Sequence, residues 1–205
     1  MRADPVALEV QAAARACPDL DVLDRVVRGC VACPELVAER TRVVAGTLPP
    51  GARLLVLGEA PGAQEDQTGT PFVGASGRLL DLLLAEVGGA REQTAVLNTL
   101  KCRPPGNRAP RAAESARCRG WAQRQLELAA PDLVVTLGLS AARWFLGPVT
   151  RGPVVLGAVR GRVHEVGGHR VLPTYHPSAA IRFGPRGEPR RLLRADLALA
   201  VSLVT

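Results

Sequence analysis

Apolar and polar positions alternate in blocks along this chain, and the length and period of each block separate strands from helices. RLLVLGEAPG (53–62) is an apolar run that stops at a Gly/Pro turn, which predicts a buried strand followed by a loop. AVLNTLKC (95–102) predicts a second strand ending on polar residues, DLVVTLG (132–138) a third, and 154–166 and 169–174 further strands, the last running into Tyr175-His176-Pro177-Ser178. Apolar residues recur at helical spacing over 77–87, 111–130, 140–147 and the tail 190–203. Two short helices are expected at the front, over 5–16 and 20–29, and about residues 1–19 read as an N-terminal helical extension. No repeat or low-complexity linker divides the chain, so one domain over 1–205 is expected.

Apolar strands alternating with helices imply an α/β fold, a parallel sheet covered on both faces. In such sheets ligands bind outside the carboxyl ends of the strands. Four segments fall at those ends: GEAPG, NTLKC, GLS and YHPS. Distant in sequence, they are expected to converge in space.

Composition adds two constraints. No stretch of about 18 uncharged apolar residues occurs, so no membrane span is expected, and Asp4 and Glu9 interrupt the apolar core a signal peptide would need. A cytoplasmic protein is the simplest reading. The net charge of +7 favours a polyanionic partner such as nucleic acid. Lys101 is the only lysine, so the basic character is nearly all arginine and reflects codon bias as much as DNA binding.

There are five cysteines, at positions 17, 30, 33, 102 and 118. An odd number in a cytosolic chain argues against a disulfide framework. Cys30-Val31-Ala32-Cys33 is a CxxC pair, and Cys102 and Cys118 flank a Pro-rich loop. Four thiolates can hold a 4Fe-4S cluster or an all-cysteine zinc site. The wide split of the second pair suits a cluster better than a zinc ribbon. Cys17 has no partner on this count and is assigned to packing or the surface.

The loop after the first strand is rich in candidate chemistry. Gly58-Glu59-Ala60-Pro61-Gly62 is a tight turn with a carboxylate, Glu65 and Asp66 add two more, and Phe72 sits between Pro71 and Val73-Gly74. Taken singly, Phe72 could be core and the acids a solvated turn. Together they occupy a long irregular segment of the kind that is usually functional. Ser76 and Gly77 open a helix where backbone amides can approach a phosphate. Asn98 ends the second strand and can both donate to and accept from a pyrimidine edge. Among three histidines, His164 and His169 flank a Gly-Gly hairpin and are expected to be exposed. His176, before a proline at a strand end, is the better candidate to donate to an oxygen gaining charge.

CVAC (30–33), GEAPGAQEDQTGTPFVGASGRLL (58–80), NTLKCRPPGNRAP (98–110) with Cys118, and YHPS (175–178) resemble the uracil-DNA glycosylase superfamily, and within it family 4, the iron–sulfur members. The resemblance runs from about Leu20 to the C-terminus. It implies a three-layer α/β/α sandwich around a four-stranded, mainly parallel sheet. It implies a base-excision repair enzyme that hydrolyses the N-glycosidic bond of uracil in single- or double-stranded DNA and leaves an abasic site. It implies a 4Fe-4S cluster on Cys30, Cys33, Cys102 and Cys118, and a monomer acting at the nucleoid of a bacterial-type cytoplasm. In this resemblance Phe72 stacks on the uracil ring, Asn98 bonds its polar edge, and Ala60 and Glu65 line the pocket. His176 faces O2, and Glu59 serves the sugar side. Glu65 or its neighbours supply the wall that excludes thymine's methyl. Candidate DNA contacts are Ser76, Gly77, Arg108, Ser178 and Arg182.

Some positions depart from the wider superfamily. Its best-known branch carries an aspartate where this chain has Ala60, so the water-activating group differs. A covalently trapping branch uses a histidine after the second strand, whereas none lies between Asn98 and Cys118, so turnover is expected. Ser76 replaces an alanine common among relatives, and nothing in the sequence explains it. Two other readings compete. Gly138-Leu139-Ser140 could be a nucleophile elbow, but the closing glycine is missing. A non-catalytic or covalently trapping iron–sulfur DNA-binding protein of the same fold is the alternative function.

Overall fold

The computed structural model describes residues 4–150 and 152–205; Met1–Ala3, the start of the expected extension, and Arg151 lie outside them. Strands β1 (Leu54–Gly58), β2 (Thr94–Asn98) and β3 (Leu133–Leu137) are buried along their whole length, as their continuous apolar character requires of a sheet covered twice. β1 runs parallel to both β2 and β3, and β3 runs parallel to β5 (His169–Thr174). These are the four parallel strands expected from the resemblance.

The sheet nevertheless has five strands, in the order β2-β1-β3-β5-β4. The four-strand expectation is corrected by β4 (His164–Val166), an antiparallel edge that returns through Gly167-Gly168 onto β5. The long strand expected over 154–166 shrinks to these three residues, and Leu156–Val159 is instead a short helix, α8. Of its apolar run only Val154 is buried. Gly161, at φ +73°, then turns the chain and donates its N–H to the Pro173 carbonyl.

Alternation in the strands sorts the core into two layers. Val56, Val96, Val135 and Leu172 pack with α5 (Ala75–Glu86) and α10 (Glu188–Ser202). Leu55, Leu97, Val134 and Val171 pack with Leu126 of α6 (Ala112–Ala129) and with Ala141 and Phe145 of α7 (Gly138–Leu146). Each fully buried Leu or Val contributes about 1.5–3 kcal/mol relative to exposure.

A third apolar cluster joins α1 (Pro5–Ala16) and α2 (Leu20–Arg28) to Trp121 of α6. Asp4 caps α1 through the Val6 N–H, and Asp19 caps α2 through the Val22 N–H, the arrangement an Asp N-cap provides. Gly120 lets α1 press onto α6, since a side chain there would meet the Gln11 backbone. Cys17 is buried in this cluster. Three six-residue helices carry too little periodicity to read in sequence: α3 (Pro34–Glu39), α4 (Ala63–Thr68) and α9 (Pro177–Arg182). No described helix is long and apolar enough to cross a membrane.

Candidate active site

The carboxyl ends of β1 and β2 are in register, Gly58 opposite Asn98. A cleft of about 310 Å³ opens beside them, lined by Ala60, Glu65, Phe72, Ser76, Asn98 and His176 among others. Six residues singled out in the sequence are thus brought together. The cleft also takes Gly62, Ala63, Gln64, Gly74 and Ala75, none of which was a candidate site residue in the sequence.

The loop between β1 and α5 is built to present Phe72. Glu65 is buried and its carboxylate accepts three backbone N–H groups: Val73 at 2.9 Å and Gly74 at 2.8 Å on Oε1, Gly62 at 3.1 Å on Oε2. Asp66, 2 % exposed, accepts the Thr41 N–H on both oxygens at 3.0 Å. The solvated acidic turn is therefore corrected for both: these carboxylates replace water for buried amides, which would otherwise go unpaired at a cost of about 1–3 kcal/mol each. Phe72 itself sits at φ +55°, a conformation bulky residues adopt only when their surroundings impose it. Arg91 donates to the Pro71 carbonyl at 2.8 Å and Glu65 holds Val73. Gly77 has no side chain because the Phe72 carbonyl fills that space, and a Cβ at Gly58 would strike the Phe72 ring and the Asn98 amide.

Asn98 is 2 % exposed and its Oδ1 is buried without a hydrogen-bond partner. Such orphans are uncommon in native interiors and call for an explanation. The backbone beyond it is stitched to β1: Thr99 N–H donates to the Gly58 carbonyl, and Leu100 N–H and the Thr99 hydroxyl both donate to the Glu59 carbonyl. Glu59 lies at the end of this stitched turn, half-buried and outside the cleft lining.

His176 caps α9. Its Nδ1 accepts the Ser178 N–H at 3.1 Å and lies 2.8 Å from the Ser178 hydroxyl. An accepting Nδ1 carries no proton, so the neutral ring bears its hydrogen on Nε2. The ring centroid stands 5.9 Å from that of Phe72. The side chain retains some surface, yet the protein around it withholds water, and burial pushes its pKa down to about 4. Folding thus favours the neutral ring. The stability this contributes is complete above the ordinary value of 6.5 and is lost as pH falls toward 4. Single-turnover rates should accordingly show no His176 inflection between pH 5 and 8; an inflection near 6.5 that vanishes in His176→Ala would contradict this placement.

Other candidates fall elsewhere. Arg108 forms a two-pronged ion pair with the buried Glu114, at 2.5 and 2.9 Å, so its guanidinium braces the start of α6. Gly77 is buried against Phe72 rather than open to an anion. Ser178 and Arg182 are exposed on α9 beside the cleft. Ser140 lies inside α7, and no imidazole hydrogen-bonds to it among the described residues, which removes the elbow reading. His164 and His169 are half-buried, correcting the expectation that they are exposed. His164 contacts the Val159 carbonyl at 2.8 Å, and His169 packs edge-on to Phe145.

A second site lies behind the first. Cys30, Cys33, Cys102 and Cys118 are free and line one small pocket with Arg40, Lys101 and Arg117. N–H donors face the sulfurs: Arg40 to Cys102 at 2.9 Å, the Lys101 backbone to Cys118 at 3.2 Å, and Trp121 Nε1 to Cys30 at 3.4 Å. Burial pushes the Cys118 thiol up to about 12 and Cys33 to about 11, and raises Cys102, so deprotonation there needs a metal to drive it. Among the described residues no group of three or more His, Cys, Asp or Glu side chains is arranged to hold a single metal ion.

A parallel α/β sheet whose strand ends assemble an aromatic face, an orphaned amide and a neutral imidazole defines an enzyme that handles a planar heterocycle. The family model described as the uracil DNA glycosylase superfamily matches residues 45–198. The chain is 40 % identical over 186 residues to a type-4 uracil-DNA glycosylase of Thermotoga maritima, covering 90 % of this chain and 94 % of that protein. It is 38 % identical to the type-4 enzyme of Archaeoglobus fulgidus, over 79 % of this chain and 84 % of that one. A type-5 uracil-DNA glycosylase of Thermus thermophilus is 30 % identical over 59 % of this chain and 68 % of its own. The chain belongs to the uracil-DNA glycosylase superfamily and, within it, to the type-4 family.

Proposed function

We propose that this protein removes uracil from DNA by hydrolysing its N-glycosidic bond and leaving an abasic site. The observation that carries this reading is the meeting of Phe72, the partnerless Asn98 amide and the neutral His176 in one cleft. A base inside a duplex cannot reach such a cleft, so the nucleotide must leave the stack, which costs a few kcal/mol and least at a mispair. Phe72 then stacks on the ring and Asn98 bonds its edge. As the bond breaks, negative charge grows on uracil and His176 Nε2–H donates to O2. One preorganised donor of this kind contributes about 3 kcal/mol. Glu59, just past the end of β1, serves the sugar side, where it stabilises positive charge or orients water. The Glu65 turn forms the wall that excludes a 5-methyl group. Ser76, Ser178 and Arg182 take the flanking phosphates. Arg108 contributes indirectly, through the α6 start it braces.

Cys30, Cys33, Cys102 and Cys118 would hold a 4Fe-4S cluster. Four free thiols in one pocket with N–H donors aimed at their sulfurs suit that group. When bound, it would cross-link the α2–α3 turn to α6 and the loop ahead of it. Cys118→Ser is expected to lose most of its iron and the brown absorbance of the purified protein. A colourless, zinc-loaded wild type prepared without oxygen would refute the cluster. Denaturing gels of the protein with uracil-containing DNA test turnover against trapping: free DNA with abasic sites is expected, and a protein–DNA adduct would favour the trapping alternative.

A further inference from the structure

The chain carries 26 basic residues and only one is lysine, Lys101. That lysine is also among the most deeply buried side chains of the protein, 1 % exposed. A cation of this size in the interior needs a reason. Its Nζ donates to the backbone carbonyl of Asn98 at 2.9 Å. Its own N–H donates to Cys118 Sγ at 3.2 Å, and its carbonyl accepts the Val44 N–H at 2.8 Å. No salt bridge among the described residues involves it; the side chains of Cys102 and Cys118 share its pocket. The five residues from Asn98 to Cys102 thus run from the base cleft to the cysteine pocket, and Lys101 touches both ends.

We propose that Lys101 is a positioning residue that ties the cysteine site to the base-reading amide of Asn98. This rests on the reading of Asn98 as the uracil reader. The stem of Lys101 is buried and its amine pins the Asn98 carbonyl, so the Asn98 side chain is held toward the cleft without a bond of its own. When the four cysteines are ligand thiolates, their charge offsets the buried ammonium, and the same residues that anchor the metal anchor the reader. A guanidinium is too broad and too multiply donating for a space with one acceptor, which accounts for a lone lysine in an arginine-rich chain. Among the described residues no comparable hydrogen bond joins the cysteine pocket to His176, which is positioned by Ser178 and α9.

The test is a double-mutant cycle on the iron-loaded protein, Lys101→Met against Asn98→Ala, reading single-turnover uracil release and the affinity for free uracil by equilibrium dialysis. Lys101→Met alone is expected to lower both about 10- to 100-fold, the range typical of residues that orient a functional group, with iron content unchanged. In the Asn98→Ala background it should change either by less than about 2-fold, because a residue acting through Asn98 has nothing left to position. Full additivity, or native uracil affinity in Lys101→Met, overturns the proposal. If Lys101→Met does not fold, Lys101→Gln takes its place in the cycle with the same expectations. Loss of iron in every folded Lys101 variant would assign the residue to metal retention alone and also overturn it. Should Asn98→Ala itself release uracil at the native rate, the reading of the cleft fails; impaired Asn98→Ala with additive effects removes only the role of Lys101.

Discussion

Replacing Asn98 with alanine is expected to slow uracil release about 10²- to 10³-fold, the cost typical of removing one preorganised polar group from a charge-developing site. The physical basis is the burial of an amide whose Oδ1 has no partner. The protein carries the penalty of a desolvated acceptor in the resting state, and a uracil edge relieves it. Truncation removes that complementarity while leaving β2 intact, since every residue of the strand is buried in the sheet and its ladder to β1 is made by backbone groups. Single-turnover release from an oligonucleotide carrying one uracil reads the effect, with iron content and circular dichroism unchanged. A variant within about threefold of wild type would mean the amide does not meet the base.

The second large effect concerns the residue that holds the loop around the cleft. Glu65→Ala strips three backbone N–H groups of their acceptor at once. Hydrogen bonds to a charged group contribute about 1.5–3 kcal/mol each, and the losses do not add fully. A destabilisation of about 3–5 kcal/mol is expected in urea unfolding of equally iron-loaded protein. Uracil release should fall with it, because Phe72 at φ +55° is held partly through Val73. Glu65→Gln should be intermediate: its oxygen can still accept from Val73 and Gly74, but its NH₂ would confront the Gly62 N–H. Native stability in Glu65→Ala would show that the loop is held by other means.

The contrast between these two residues shows what the sequence could and could not disclose. Asn98 ends β2 and His176 lies just past β5, before Pro177, where topology alone places ligands, and their placement in one cleft was legible. So were the buried strands, whose unbroken apolar runs fit only a doubly covered sheet, and the grouping of four cysteines. The burial of Glu65 and Asp66 was not legible because their partners are backbone amides 3 to 25 residues away, and an amide leaves no mark in a sequence. The burial of Lys101 left no sign in the sequence because burial of a lysine depends on what closes over it. Arg108 read as a phosphate contact for want of any sign that Glu114 would claim it. The edge strand was expected over 154–166 but forms only at His164–Val166, and the four-strand count implied by the resemblance leaves this edge out.

Uracil recognition and bond cleavage are separable functions, and this cleft is proposed to perform both. The most direct measurement is quantification of free base from DNA bearing a single uracil opposite G, with matched oligonucleotides carrying thymine or cytosine at that position. Multiple turnovers of free uracil are expected, with one alkali-labile abasic site formed per base released, no strand break before alkali treatment, and no base released from the two controls. Tight binding of uracil-containing DNA without base release, or equal release of thymine, would contradict the account.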